Sequence, residues 1–388
     1  MRTLVILVVV VGLAVGAGLV WLDRSREEDN TVTANTDLLI TEDVDLSQFE
    51  RAIGPYDWQF PADHGPHPTF QTEWWYYTGN LADDSGRRFG YQFTIFRRNI
   101  DPAGVESESE WRTNQLYLAH FTVTDVAGNQ FFHDQRLSRG AAGLAGATTD
   151  PVYRVWLENW EITALNDNAT QTQITAATDS AAIDLTLEQV KPPALQGDSG
   201  LSAKSAEVGN ASYYYSLSRL LTNGTITING QAFTISGASW MDHEFSTSAL
   251  GLDAQGWDWF GLHLDDNREL MLGQIRLVNG GIEPAFGGLL VRPDGSTFTL
   301  ESSDLTIMPS GTWTSPHTQI TYPAGWEITV DIGEAEPLRL AVTPLIDDQE
   351  LNGEGIVYWE GAVRIAGDAA GYGYAELTGY QDAMRGRF

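Results

Sequence analysis

Short runs of period-two alternation, separated by turn residues, fill most of this chain, and no comparably long stretch carries a helical stripe. Gly90–Phe96, Gln115–Thr124, Tyr153–Ile162 and Ile183–Leu187 alternate, or are rich in the β-branched and aromatic side chains that pack well on a pleated surface. Asn223-Gly224, Asn229-Gly230, Asp265-Asp266-Asn267 and Pro293-Asp294-Gly295 each stand between strand-like runs, as hairpin connections should. Further strands are expected at Thr225–Ile228, Phe233–Ser236, Trp257–Leu264, Glu269–Val278, Ser296–Leu300, Trp326–Val330, Leu338–Val342, Val357–Arg364 and Tyr372–Gly379. That number exceeds one sandwich. Two consecutive antiparallel barrels of about eight strands each fit better, because closure removes exposed edges and such a barrel can hold one small ligand. The expected fold class is therefore all-β, with the seam near residue 246.

Thr3–Leu22 is an unbroken apolar run, preceded by Arg2 and followed by the charged stretch Asp23–Asp29. A helix of about 20 residues spans a bilayer, so residues 1–22 are expected to be a transmembrane anchor or signal helix. Residues 23–48 are acidic and aperiodic and read as a spacer. The remainder divides into an N-terminal barrel, 49–246, and a C-terminal barrel, 247–388. Whether the leading helix is kept or cleaved, the barrels are exported. The expected location is the cell envelope, anchored in the cytoplasmic membrane with the globular part in the periplasm or outside, or secreted if the helix is removed.

Composition bounds the partners. The 388 residues, 42% hydrophobic, suffice for two packed domains. With 52 acidic against 22 basic side chains the formal charge is −30, which would repel nucleic acid and anionic lipid. Only Lys191 and Lys204 are lysine, a pattern equally suited to solubility in high salt. Cysteine is absent, which excludes disulfides, thiolate metal sites, cysteine nucleophiles and an acylated lipoprotein anchor. There is no phosphate-binding glycine loop and no Gly-x-Ser-x-Gly elbow.

Two knots carry chemistry. Asp63–Leu81 puts His64, His67 and Glu73 beside the aromatics Trp74, Trp75, Tyr76 and Tyr77, and Ser239–Phe245 repeats the theme with Trp240, Asp242, His243, Glu244 and Phe245. An acid embedded in an aromatic wall has its charged form disfavoured, so it can hold a proton near neutral pH and deliver it to an apolar substrate. Asp242 is the first choice of proton donor and Glu73 the second, with His243 orienting the acid or activating water and Glu244 beside them. Trp74, Trp75, Tyr76, Trp240, Phe245, Trp257, Trp259 and His263 are candidate ligand-binding residues, since aromatic faces stabilise cations. In a strand, Trp74 and Tyr76 face opposite to Glu73, Trp75 and Tyr77, so one of the two sets is expected to be ordinary core. A buried Glu73 bonded to a neighbour such as Arg97 would be structural. His64 and His67 are acceptable zinc ligands, although Pro66 and Pro68 stiffen their loop, and neither a metal nor another cofactor is expected. His120, His133 and His317 read as ordinary strand or loop positions.

Six blocks carry a resemblance: Glu73–Leu81, Trp240–Phe245, Gly256–Leu262, Asp348–Leu351, Tyr358–Val363 and Tyr374–Tyr380. Together they resemble the carotenoid 1,2-hydratase (hydroxyneurosporene synthase) and AttH-like family over roughly residues 60–388. The resemblance implies two consecutive lipocalin-like β-barrels. It also implies hydration of a carbon–carbon double bond, with Asp242-His243 and Trp240 in the positions of an aspartate proton donor and its neighbours; Phe245 stands where the family has tryptophan.

Three functions follow as expectations. The first is a membrane-tethered hydro-lyase that hydrates or isomerises an apolar, isoprenoid-like or lipid ligand. The second is a non-catalytic lipid-binding accessory protein of an envelope ABC transporter, meeting its permease. The third is a metal-dependent secreted hydrolase.

Overall fold

The computed structural model of the chain describes residues 46–384, apart from 104–107, 248–249 and 354. The expected anchor and most of the spacer lie outside the described residues. Within them no helix is long and apolar enough to cross a membrane. Among the described residues helix is limited to three short 3₁₀ turns, Leu46–Gln48, Ala62–His64 and Ser302–Asp304.

Two large antiparallel sheets curl into nearly closed barrels. The first has thirteen strands, more than the eight or so expected, because several are only two to five residues long. Its central order is Gln115–Asp125, Arg88–Asn99, Thr72–Asp83, Gln231–Ser246, Ala211–Ile228 and Ala181–Gln189. Its open edge, at Gln130–Arg139, is drawn toward the turn before Trp160–Ala164 by Arg136, which lies 4.0 Å from the Trp160 ring centroid and 3.3 Å from Glu158. The second sheet has ten strands, centred on Glu269–Leu277, Ala254–Leu264, Gly371–Leu377, Tyr358–Gly367 and Leu338–Pro344.

Turn chemistry holds at three of the four expected hairpins. Asn229 and Gly230 both have positive φ and join Ala211–Ile228 to Gln231–Ser246 with Ile228 opposite Gln231. Asn267 and Gly295 likewise take positive φ in their turns. Asn223-Gly224 is the correction. It lies inside the eighteen-residue strand Ala211–Ile228, paired on both sides, and a Cβ at Gly224 would collide with the Asp184 carbonyl oxygen of the neighbouring strand. Glycine there allows close strand approach rather than a turn.

Each barrel has its own apolar interior. Trp75, Phe93, Phe121 and Trp160 fill the first; Phe260, Trp326 and Trp359 fill the second. A third cluster, including Tyr76, Tyr214, Trp240, Trp259, Phe286 and Tyr374, packs between the barrels. This explains the four consecutive aromatics Trp74 to Tyr77. The strand Thr72–Asp83 is covered on both faces, by its own barrel and by the other, so alternation of polarity is lost there.

Charges fix the junction. A register shift between Leu217 and Leu220 turns Ser218 and Arg219 toward the second barrel. There the Ser218 carbonyl oxygen meets His263 Nε2 at 2.7 Å, and Arg219 pairs with Glu269. Lys191 Nζ lies 2.7 Å from the same carboxylate and donates also to the carbonyl oxygens of Asn267 and Arg292. Both lysines of this lysine-poor chain are buried.

Candidate functional site

Strand parity separates the sequence candidates into two compartments. Thr72, Trp74 and Tyr76, with Asp242 and Glu244 on the neighbouring strand, face the second barrel and line a cleft of about 1450 Å³, its open mouth included. Trp74, Tyr76, Asp242 and Glu244 are on its walls, with Trp257 and Trp259 opposite. Glu73, Trp75, His243 and Phe245 point the other way. The two-residue period that sets Trp74 and Tyr76 opposite Glu73 and Trp75 likewise sets Asp242 and Glu244 opposite His243 and Phe245, so the candidates fall into two groups. A ligand cavity inside each barrel gives way to one between them.

In the cleft, Asp242 is 4% exposed and sits opposite Tyr76 and Ser216 in the pairing register. Its Oδ1 accepts hydrogen bonds from Ser216 Oγ and, at 2.7 Å, Trp240 Nε1, and its Oδ2 accepts from Tyr214 Oη at 2.6 Å. Burial outweighs these three donors and pushes the carboxyl up to about 7. Trp240 itself packs in the cluster between the barrels, its indole serving Asp242. Glu244 is neutralised by Lys204, whose Nζ is 3.2 Å away and 4.4 Å from the Phe286 ring centroid.

Two further carboxyls face the cleft. Glu360 and Glu376 are direct cross-strand partners, and both line it. Burial, reinforced by Glu376, holds Glu360 well above the ordinary range, and burial pushes Glu376 up to about 7. Tyr76 Oη and Glu360 Oε1 are buried with no hydrogen-bond partner of ordinary geometry, though each lies near enough to shift the other's titration. His120, expected at an ordinary strand position, is also on the wall, its Nδ1 2.7 Å from Tyr358 Oη; burial lowers it to about 4.

The second compartment is a chain of polar groups at one end of the first barrel. His64 Nδ1 meets Tyr215 Oη at 2.6 Å, which meets His243 Nδ1 at 3.1 Å. His243 Nε2 and His67 Nδ1 both bond Glu73 Oε1, at 2.8 and 2.7 Å, and Arg97 Nε donates to Glu73 Oε2 at 2.8 Å. Against the cost of burial, Arg97 and His67 hold Glu73 well below the usual carboxylate range, so it is an anion and no proton donor. Against its own burial, Glu73 and Asp63 raise His67, whereas burial keeps His243 lowered. Phe245 stacks on His67 with ring centroids 3.6 Å apart, and Trp75 donates from Nε1 to the His64 carbonyl oxygen. His67, Glu73 and His243 each present one ligand atom within 4.8 Å of the others, the reach of one ion. The fixed guanidinium of Arg97 on the same carboxylate disfavours a second cation there. His263, a candidate ligand-binding residue, lies against Trp240 and Ser218 at the barrel junction.

Two nearly closed antiparallel barrels with an acid-lined aromatic cleft between them define the protein as a two-barrel, lipocalin-like protein. The chain belongs to the AttH-like family, whose profile matches residues 51–380. A Nitrosomonas europaea protein assigned to AttH is 32% identical, with a TM-score of 0.75 over 86% of this chain and all of that one. Kievitone hydratase from Nectria haematococca shares the fold at 15% identity, with a TM-score of 0.62 over 85% of this chain and 98% of its own. No curated protein sequence matches significantly.

Proposed function

We propose that the protein is an envelope enzyme, tethered by Thr3–Leu22, that adds water across a carbon–carbon double bond of an apolar ligand bound between its barrels, or isomerises that bond. The observation that carries this reading is Asp242: a carboxyl raised to about 7, facing an aromatic cleft. Oδ1 is occupied by Ser216 and Trp240, so the proton resides on Oδ2, beside the Tyr214 hydroxyl. Transfer of that proton to one alkene carbon leaves a carbocation on the other, stabilised by the faces of Trp74, Trp257 and Trp259. Water adds to the cation and its surplus proton returns to the Asp242 carboxylate, so the net change is H and OH across the bond. Loss of a proton from a neighbouring carbon instead would give isomerisation. Glu360 and Tyr76, which lie side by side on the cleft wall, are suited to hold the water. Kievitone hydratase, named for a hydration, supports the reading through its shared fold.

The test is incubation of the protein with an acyclic carotenoid in D₂O. Gain of the elements of D₂O, lost in Asp242→Asn while the ligand is still retained, supports the enzyme. Tight retention without conversion, unaltered by that substitution, supports the transporter-accessory carrier instead.

A further inference from the structure

Arg98 is a buried cation with no counter-ion among the described residues. It follows Phe96 by two residues along Arg88–Asn99, so it shares the cleft face, while Arg97 turns into the first barrel to meet Glu73. Arg98 is 7% exposed, yet its Nε has no hydrogen-bond partner and its closest recorded contact is Nη1 to Thr72 Oγ1 at 3.4 Å. Among the described residues no carboxylate lies within ion-pair distance of it. The other well-buried cations behave differently: Arg97 pairs with Glu73, Lys191 with Glu269 and Lys204 with Glu244. In a chain with 52 acidic side chains, scarcity of partners is no explanation. Burial alone lowers the Arg98 guanidinium to about 10, the signature of a charge taken out of water with nothing supplied in exchange.

We infer that the cleft takes an apolar molecule ending in a carboxylate, and that Arg98 binds that carboxylate. The planar guanidinium fork matches a carboxylate bidentately, which neither a hydroxyl nor an uncharged chain end can do. Trp74, Phe96, Leu118, Trp257 and Ile275 supply an apolar wall for the chain behind it. The acids of the cleft do not forbid an anion. Glu244 is neutralised by Lys204, and burial keeps Glu360 and, below about pH 7, Asp242 and Glu376 protonated. The inference rests on the proposed function only in placing the ligand in that cleft. A protein that converts nothing would still discriminate acids from alcohols there, and loss of that discrimination would leave hydration of an uncharged polyene untouched.

The test is titration of the full chain with oleate, oleyl alcohol and methyl oleate below their aggregation concentrations, followed by tryptophan fluorescence, which Trp74, Trp257 and Trp259 make sensitive to the cleft. Oleate is expected to bind at least about tenfold more tightly than the alcohol or ester, the worth of a charge-assisted bidentate contact. Arg98→Met should remove that preference by weakening oleate alone, with the melting temperature unchanged or raised. Arg98→Lys should keep part of the preference. Equal affinity for acid and alcohol, no binding of any probe, or a preference that survives Arg98→Met would overturn the inference. So would a fall in melting temperature in both variants, which would mark Arg98 as structural.

Discussion

Glu360 and Glu376 stand directly opposite each other on adjacent antiparallel strands, with no cation paired to either among the described residues. Like charges in that position repel at close range, so the pair is stable only when it shares at least one proton. Two strands of the second barrel therefore present an acid to the same space that Asp242 reaches from the first.

A stability profile should report these groups. Each has a folded pKa above its unfolded value, so the proton it binds stabilises the fold fully at low pH. That contribution is lost as pH rises from the ordinary carboxyl range through about 7. Chemical denaturation across that window should show falling stability in the native chain. Asp242→Asn or Glu376→Gln should each flatten the slope, by up to about 3–4 kcal/mol.

Turnover should need the protonated form of Asp242. Activity in the D₂O assay is expected to decline as pH rises above about 7, and Asp242→Asn should cost roughly 10²- to 10⁴-fold with ligand retention preserved. A rate that rises with pH would reverse the assignment of acid and base.

Glu73 and Arg97 form a fully buried ion pair on the strand face opposite Asp242, although Arg97 also borders the cleft. Arg97→Met removes the permanent cation from Glu73 and leaves its charge to His67 and His243, which should cost up to about 3–5 kcal/mol in denaturant titrations. Ligand affinity per folded molecule should hardly change. A selective loss of binding without loss of stability would place Glu73 in the functional site.

Gly224→Ala should destabilise by roughly 2–4 kcal/mol, since its methyl would meet the Asp184 carbonyl oxygen in the middle of the sheet. Thermal melting checks this; a hairpin turn at the same position would tolerate alanine far better.

Local chemistry was legible in the sequence; the docking of the barrels was not. Trp326–Val330 forms a strand with the expected bounds, and Asn229-Gly230 turns as that dipeptide should. Parity rightly separated Trp74 and Tyr76 from Glu73, Trp75 and Tyr77. Asn223-Gly224 misled because glycine serves close packing as well as turns. The cleft escaped notice because its walls come from strands far apart in the chain, joined only when the barrels dock. Glu360 and Glu376 stood within the family-like blocks without any local sign that they face Asp242. Arg98 could be told from Arg97 only by counting two residues on from Phe96, and nothing nearby shows that it lacks a partner.

The most direct test is infrared titration of the carboxyl groups in the native chain and in Asp242→Asn. A protonated-carboxyl band that persists near neutrality, disappears through about pH 7 and is diminished in the variant is expected. If every carboxyl band is gone by about pH 5 and the substitution changes nothing, Asp242 is an ordinary ionised aspartate and cannot donate the proton.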